Sequence, residues 1–218
     1  DKEIRLLGVL GDQAAIAIEQ SRLYKRQEAR AARLQALTRI NHLISSSLDL
    51  TDVLRGIAAA AGDLMDAPVV SLWIADEAGE HLELRALSDD RLRPDFPTTQ
   101  LRVGEGFAGW VARHRRPLDI PDVFADDRVV AHEWFRANEL RSVFAVPILH
   151  QETLVGVLGL IGRKPFRFTS DDENLLENFA TQAGLAVRNA RLYAAEGAAR
   201  HAAEVATRAK SEFLANMS

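Results

Sequence analysis

The chain has 218 residues, 47% of them apolar and 27% charged, and 27 basic residues against 31 acidic ones leave a net charge of −4. This is chain enough for one packed domain with additional elements, and it lacks the bulk basic field that draws a protein to nucleic acid. There is no cysteine, which excludes disulfides, thiolate metal sites, iron–sulfur clusters, a cysteine nucleophile and any thioether-linked chromophore.

The absence of cysteine suits a reducing cytosol, and a cytoplasmic location is expected. The longest apolar runs, such as Thr153–Gly162, fall far short of the roughly 20 residues that cross a bilayer. Direct membrane insertion is therefore not expected. The start Asp1-Lys2-Glu3 is charged, and no signal peptide is expected there. The chain opens without Met and stops at Asn216-Met217-Ser218, so it is expected to be a segment of a longer protein.

From Gln13 to Ser47 there is no proline or glycine, and Ala, Leu, Arg, Gln and Glu dominate. The spacing predicts a long helix. Ile16, Leu23, Leu34, Leu37 and Ile44 recur at heptad spacing, interrupted by Gln20, Gln27, Arg30 and Asn41. That is a leaky coiled-coil seam, with a helix packed on its own domain as the plainer alternative. A second helix is predicted over Thr51–Met65, capped by Asp49 or Thr51, with Val53, Leu54, Ile57, Ala58, Ala61 and Leu64 as its buried stripe.

Beyond Pro68 the period changes to two. Val70, Leu72 and Ile74 alternate with Val69, Ser71 and Trp73, and His81–Ser88 alternates again after the turn at Asp76–Glu80. Asp89–Thr99 reads as a loop, Gly106–Arg113 as a short helix and Leu118–Ile120 as a short strand. Asp122–Leu140 reads as loop with one short helix. Ser142–His150 and Thr153–Arg163 form a hairpin around Gln151-Glu152. Thr169 or Ser170 caps a last helix, with Asp171, Asp172 and Glu173 in its first turn.

That helix carries a repeat. Leu175–Tyr193 and Leu6–Tyr24, offset by 169, coincide at eight of nineteen positions. Residues 1–24 are thus expected to be the last helix of an upstream copy of the same domain. The same heptad register gives Leu185 and Leu192, and continues through Ala199, Ala203 and Ala206.

Several motifs lack their context. Gly104-Glu-Gly106-Phe-Ala-Gly109-Trp-Val111 fits glycine-rich nucleotide patterns. However, too short a strand precedes it for a dinucleotide fold, and no kinase lysine or catalytic tripeptide follows. Its glycines read as a tight turn into a packed helix. The six histidines, His42, His81, His114, His132, His150 and His201, show no metal-ligand spacing and read as surface residues rather than haem ligands. Arg113–Arg116 reads as a solvated helix end. No nucleophile has a base partner, so no catalytic residue and no metal site are expected. Trp73, Phe107, Trp110, Phe124, Trp134, Phe135 and Phe144 are left. These aromatics either line a small apolar pocket or close the core.

Residues 34–193 resemble a GAF domain, a sensory module. The resemblance is carried by Leu101–Ala112, Pro117–Val123, Arg141–Leu149, Leu154–Leu160, Phe168–Glu173 and Gln182–Tyr193. It implies an α+β fold with a central antiparallel sheet of five or six strands, the long helices on one face and a ligand site on the other. Residues 25–33 then connect two such domains. The family's cyclic-nucleotide branch carries Asn-Lys followed by Phe-x-x-x-Asp-Glu. Phe168, Asp172 and Glu173 match the second half, while Gly162-Arg163 stands where Asn-Lys belongs. Cyclic-nucleotide binding is therefore the weaker alternative. Ala209–Ser218 resembles the lead-in to the phospho-acceptor box of sensor histidine kinases, which makes 194–218 a linker helix.

Together these resemblances imply a non-catalytic sensory module of a cytosolic histidine kinase. It would be a homodimer through its long helices, joined to a kinase core in the same chain and acting on a response regulator. An unidentified small molecule, or a redox or light signal, is the expected input. A module that binds nothing and only relays strain is the alternative.

Overall fold

The computed structural model describes residues 49–92 and 94–216, with single helical positions at 19–21, 24, 27, 31 and 38. Most of the expected upstream repeat and of the connecting helix, and the seam residues Ile16, Leu23, Leu34, Leu37 and Ile44, lie outside the described residues.

Helix α1 (Leu50–Met65) starts at Asp49, whose carboxylate accepts from the Thr51 N–H at 2.7 Å. This side-chain oxygen satisfies a donor that the first turn leaves without a carbonyl. Val53, Leu54, Ile57, Ala58 and Ala61 are buried as the periodicity predicts. Met65, rather than Leu64, completes the stripe; Leu64 stays half-buried.

Six strands follow: β1 (Val69–Ala75), β2 (His81–Leu87), β3 (Gln100–Arg102), β4 (Leu118–Ile120), β5 (Ser142–His150) and β6 (Thr153–Gly162). They form one antiparallel sheet in the order β3-β2-β1-β6-β5-β4. All seven residues of β1 are buried, because the sheet is covered on both faces. Val70, Leu72 and Ile74 face one core, and Val69 and Trp73 the other. Central β6 repeats the division: Leu158 and Leu160 point one way, Val157 and Ile161 the other.

The first face is covered by α1 and by α4 (Ser170–Asn216), a helix of 47 residues and about 70 Å. Thr169 and Asp172 cap α4 reciprocally. The Thr169 N–H and hydroxyl both donate to the Asp172 carboxylate, at 2.9 and 2.7 Å. Leu175, Leu176, Phe179, Ala180, Ala183, Ala186 and Val187 seat the helix on the sheet. Beyond Val187 no residue with a described side chain is buried. Leu185 and Leu192 are 41% and 57% exposed, and Ala199 and Ala203 are exposed too; of Ala206 only the helical backbone is described.

The opposite face carries shorter elements: α2 (Gly106–His114), a 3-10 turn at Val123–Ala125 and α3 (His132–Ala137). The loop expected over Asp89–Thr99 also contains a 3-10 turn, Asp90–Leu92.

Candidate functional site

The second face is where the aromatics collect. Trp73 on β1, Phe107 on α2, and Trp134 and Phe135 on α3 are all buried there. Phe107 reaches the sheet because β6 has Gly159 beneath it; a Cβ at Gly159 would lie 2.9 Å from the Phe107 ring. Gly104 and Gly106, with φ of +103° and +65°, turn the chain from β3 into α2 through backbone that side chains resist.

These four aromatics, joined by Phe96 and Thr98, enclose a small cavity. Its free space is about 30 Å³, room for about one water molecule. Phe96 was not among the sequence candidates. It sits 4.8 Å from Trp134 in an edge-to-face contact and 6.0 Å from Trp73. An aromatic next to Pro97 inside a polar loop was the available signal. Behind the wall formed by Pro97, Val130 and Ala131 lies a wider groove of about 780 Å³, and Trp134 borders both spaces.

Three expected pocket residues lie elsewhere. Phe144 points to the helix-covered face, where it meets the Phe168 ring at 4.8 Å. Its neighbours Val143 and Ala145 take the cavity side, so strand alternation sends Phe144 away. Phe124 is 38% exposed and lies under the Arg136 guanidinium at 5.2 Å. Trp110 is on the outer side of α2, stacked on His114 at 4.1 Å and flanked by Arg116 and Arg128.

The basic run after Val111 is engaged rather than merely solvated. Arg113 donates to the Val103 carbonyl at 2.9 Å. Arg115 ends α2 in the left-handed region, φ 52°, and donates to the Glu152 carbonyl in the β5–β6 turn at 3.0 Å. That turn places Gln151 and Glu152 at positive φ, 53° and 102°. His150 beside it accepts from Arg188 of α4 at 2.8 Å. Arginine can only donate, so the His150 Nε2 is the acceptor.

Two Asp–Arg pairs fasten the 122–131 loop. Asp122 accepts from Arg141 at 3.1 Å and from the Phe124 N–H at 3.2 Å. Asp126 takes a two-pronged contact from Arg128. The arginine bond in each pair holds the carboxyl below its ordinary range. Burial pushes Asp119 on β4 the other way.

The polar inventory of the cavity is short. None of the residues around it is charged. The Trp73 indole N–H donates to Ser71, and the Thr98 hydroxyl donates to the Gln100 carbonyl and accepts its N–H. The Trp134 indole N–H is buried with no partner, although Trp134 is only 7% exposed. The His132 Nε2 is also buried without one. Among the described residues no group of acidic, histidine or cysteine side chains is placed to hold a metal ion, and no helix is long and apolar enough to cross a membrane.

Phe168 and Asp172, the matched half of the cyclic-nucleotide signature, lie on the other side of the sheet. Phe168 packs on Phe144 and Phe166, and Asp172 caps α4. Both positions are thus occupied by structural work.

Comparison with known proteins agrees with this architecture. The Dual 3',5'-cyclic-AMP and -GMP phosphodiesterase 11A of Takifugu rubripes is 28% identical over 163 residues, 70% of this chain and 18% of that protein. The Nif-specific regulatory protein of Herbaspirillum seropedicae is 28% identical over 174 residues, 77% of this chain and 32% of that protein. The chain thus spans less than a third of the length of the curated relatives it matches. Among solved structures, the GAF domain of a Coxiella burnetii phosphoenolpyruvate-protein phosphotransferase superposes with a TM-score of 0.66. It is 19% identical, with 76% of this chain and 98% of that one covered, which speaks for the fold alone. The GAF domain profile matches residues 49–187: the chain belongs to the GAF domain family.

Proposed function

We propose that this GAF domain is the sensory module of a cytosolic sensor histidine kinase. A small molecule held on the loop-covered face would bias the pairing of α4 in a homodimer. The observation that carries the reading is α4 itself. It is one unbroken helix from its cap at Thr169, buried on the sheet as far as Val187, and from Leu192 onward every described side chain is exposed. Such a helix joins the domain core directly to whatever follows.

Past Leu192 the seam is built of alanine at 199, 203 and 206. Each buried Ala contributes about 2 kcal/mol less than Leu in the same place, and Gly197 weakens the helix by about 1 kcal/mol more. A weak seam leaves two helix pairings within the few kcal/mol that a ligand's differential binding supplies. The module itself has no catalytic role; the kinase core belongs to the same parent chain and the response regulator is its downstream partner.

The test uses the full-length protein. Replacing Ala199, Ala203 and Ala206 together with Leu should lock autophosphorylation at one level whatever the stimulus. A triple variant that still responds over the wild-type range refutes helix pairing as the switch. A full-length protein with no autophosphorylation, tested with its stimulus, refutes the kinase assignment.

A further inference from the structure

We infer that the cavity between Trp73, Phe96, Phe107, Trp134 and Phe135 takes a neutral, flat, largely apolar molecule carrying one hydrogen-bond acceptor, which the Trp134 indole N–H receives. This rests on the sensory reading above and adds the chemistry of the input.

The argument is a count of uncommitted groups. The side chains around the cavity carry three polar atoms capable of hydrogen bonding. The Trp73 N–H and the Thr98 hydroxyl are already engaged. The Trp134 N–H is buried and without a partner, a condition that costs a protein stability and is rare in native interiors. The one unpartnered donor among these side chains calls for a ligand that carries an acceptor. Gly106, the first residue of α2, borders the same space, so the positive end of that helix favours an acceptor too.

Charge is argued by what is missing from the wall. No charged residue lines the cavity. A carboxylate would find one side-chain donor and no counter-cation, too little to offset its desolvation. A quaternary ammonium would find aromatic faces, but it would also meet the positive end of an indole N–H dipole. The remaining wall is aromatic and aliphatic, which suits a flat apolar body.

Size is argued from the neighbouring groove. A space of about 30 Å³ admits no such ligand as it stands. Pro97, Val130, Ala131 and Trp134 border both this space and the groove of about 780 Å³, and Val130 is 64% exposed. Outward displacement of Pro97, Val130 and Ala131 would join the cavity to that groove, whose charged lining residues, Asp95 and Glu133, are both acidic and again disfavour an anion.

The experiment compares four probes of nearly one shape: acetophenone, isopropylbenzene, benzoate and phenyltrimethylammonium, with cyclic AMP as a fifth. Affinity for the whole chain is measured by ligand-observed NMR, and the Trp134 indole resonance is followed at the same time. Acetophenone should bind about ten-fold more tightly than isopropylbenzene, the discrimination expected of one hydrogen bond to an otherwise unpaired donor. It should also shift the Trp134 indole N–H. In Trp134→Phe, which keeps an aromatic ring and removes the donor, the two probes should bind alike. Equal affinity of these two in the wild type overturns the acceptor assignment. Tighter binding of benzoate, phenyltrimethylammonium or cyclic AMP overturns the neutral class and leaves a ligand-sensing domain standing. If no probe binds, and the filling variant Ala131→Leu leaves the stimulus response of the full-length protein intact, the cavity is no ligand site and the small-molecule input falls with it.

Discussion

The two faces of the sheet are built on different terms. The helix-covered face is filled by Leu, Ile, Val and Ala from α1, α4 and alternate strand positions, with Phe179 as its one fully buried ring. Its covers are long helices that bond their own backbone. The other face adds Trp73, Phe107, Trp134 and Phe135 to a mostly aliphatic set under short helices and loops, and it keeps a small void and an unsatisfied indole. Aliphatic side chains interlock between regular helices to crystal-like density. Large rings held by short segments leave gaps at their edges. The face that carries the scaffold is therefore the dense one, and the face suited to a ligand is the imperfect one.

The sharpest way to break this comparison is to truncate one ring on each side. Phe179 has no exposure at all and packs at the centre of the dense face. Phe179→Ala should cost about 3–5 kcal/mol, the range for a buried phenylalanine whose surroundings cannot collapse. Phe96 is half-buried beside an existing void, so Phe96→Ala should cost well under half as much. Urea unfolding followed by far-UV circular dichroism reads both. Equal losses would mean that the faces are packed alike.

These differences also explain what was legible in the sequence. The stripe of α1, the two hairpins and the long final helix were readable because their periods are regular and their caps and turns local. Strand β3, Gln100–Arg102, is three residues long and leaves almost no period to detect. The candidate pocket was half legible. Trp134 and Phe135 declare themselves as a pair on a short helix, but the side that Phe144 faces depends on strand register, which aromatic content does not encode. Phe96 was missed because a loop residue acquires a partner only through tertiary structure. The seam expected beyond Leu192 rests on the sequence, since every described side chain there is exposed.

A smaller effect tests the fastening of the imperfect face. Asp122 and Asp126 have carboxyls held below their ordinary range, chiefly by the Arg141 and Arg128 hydrogen bonds. A lowered folded-state pKa means that these pairs contribute fully above about pH 4, the unfolded value. The contribution is lost as pH falls through the folded value. Asp119 acts in the opposite sense: burial raises its pKa, so its contribution is present at low pH and fades as pH rises through the raised value. The Asp126–Arg128 pair is partly exposed and should contribute less than about 1 kcal/mol. Its loss should show locally. The Trp134 indole resonance should move below pH 4 before the dense face melts, and Asp126→Asn should bring that shift to neutral pH. Simultaneous loss of both faces would show that the loop is not a separate unit.

The smallest effect concerns a turn that elements of both faces grip. The β5–β6 turn is gripped from the cavity side by Arg115, which closes α2 and donates to Glu152, and from the helix side by Arg188 of α4, which donates to His150. Gln151 and Glu152 between them occupy left-handed backbone that non-glycine residues enter at a cost, so the turn is held in place by its neighbours rather than by its own preference. Both bonds are exposed, and each should be worth about 1 kcal/mol at most. Their value lies in connection, since α2 borders the cavity at Gly106 and α4 leaves the domain just beyond Arg188. A double-mutant cycle of Arg115→Ala and Arg188→Ala measures it. Independent surface contacts would add within about 0.3 kcal/mol. A shared, strained turn should instead give a coupling of about 0.5 kcal/mol or more, because removing either grip lets the turn relax and empties the other of its effect. Because the two arginines are on different helices and on opposite sides of the sheet, direct contact between them cannot produce that coupling. Strict additivity would show that the two faces are mechanically independent at this turn.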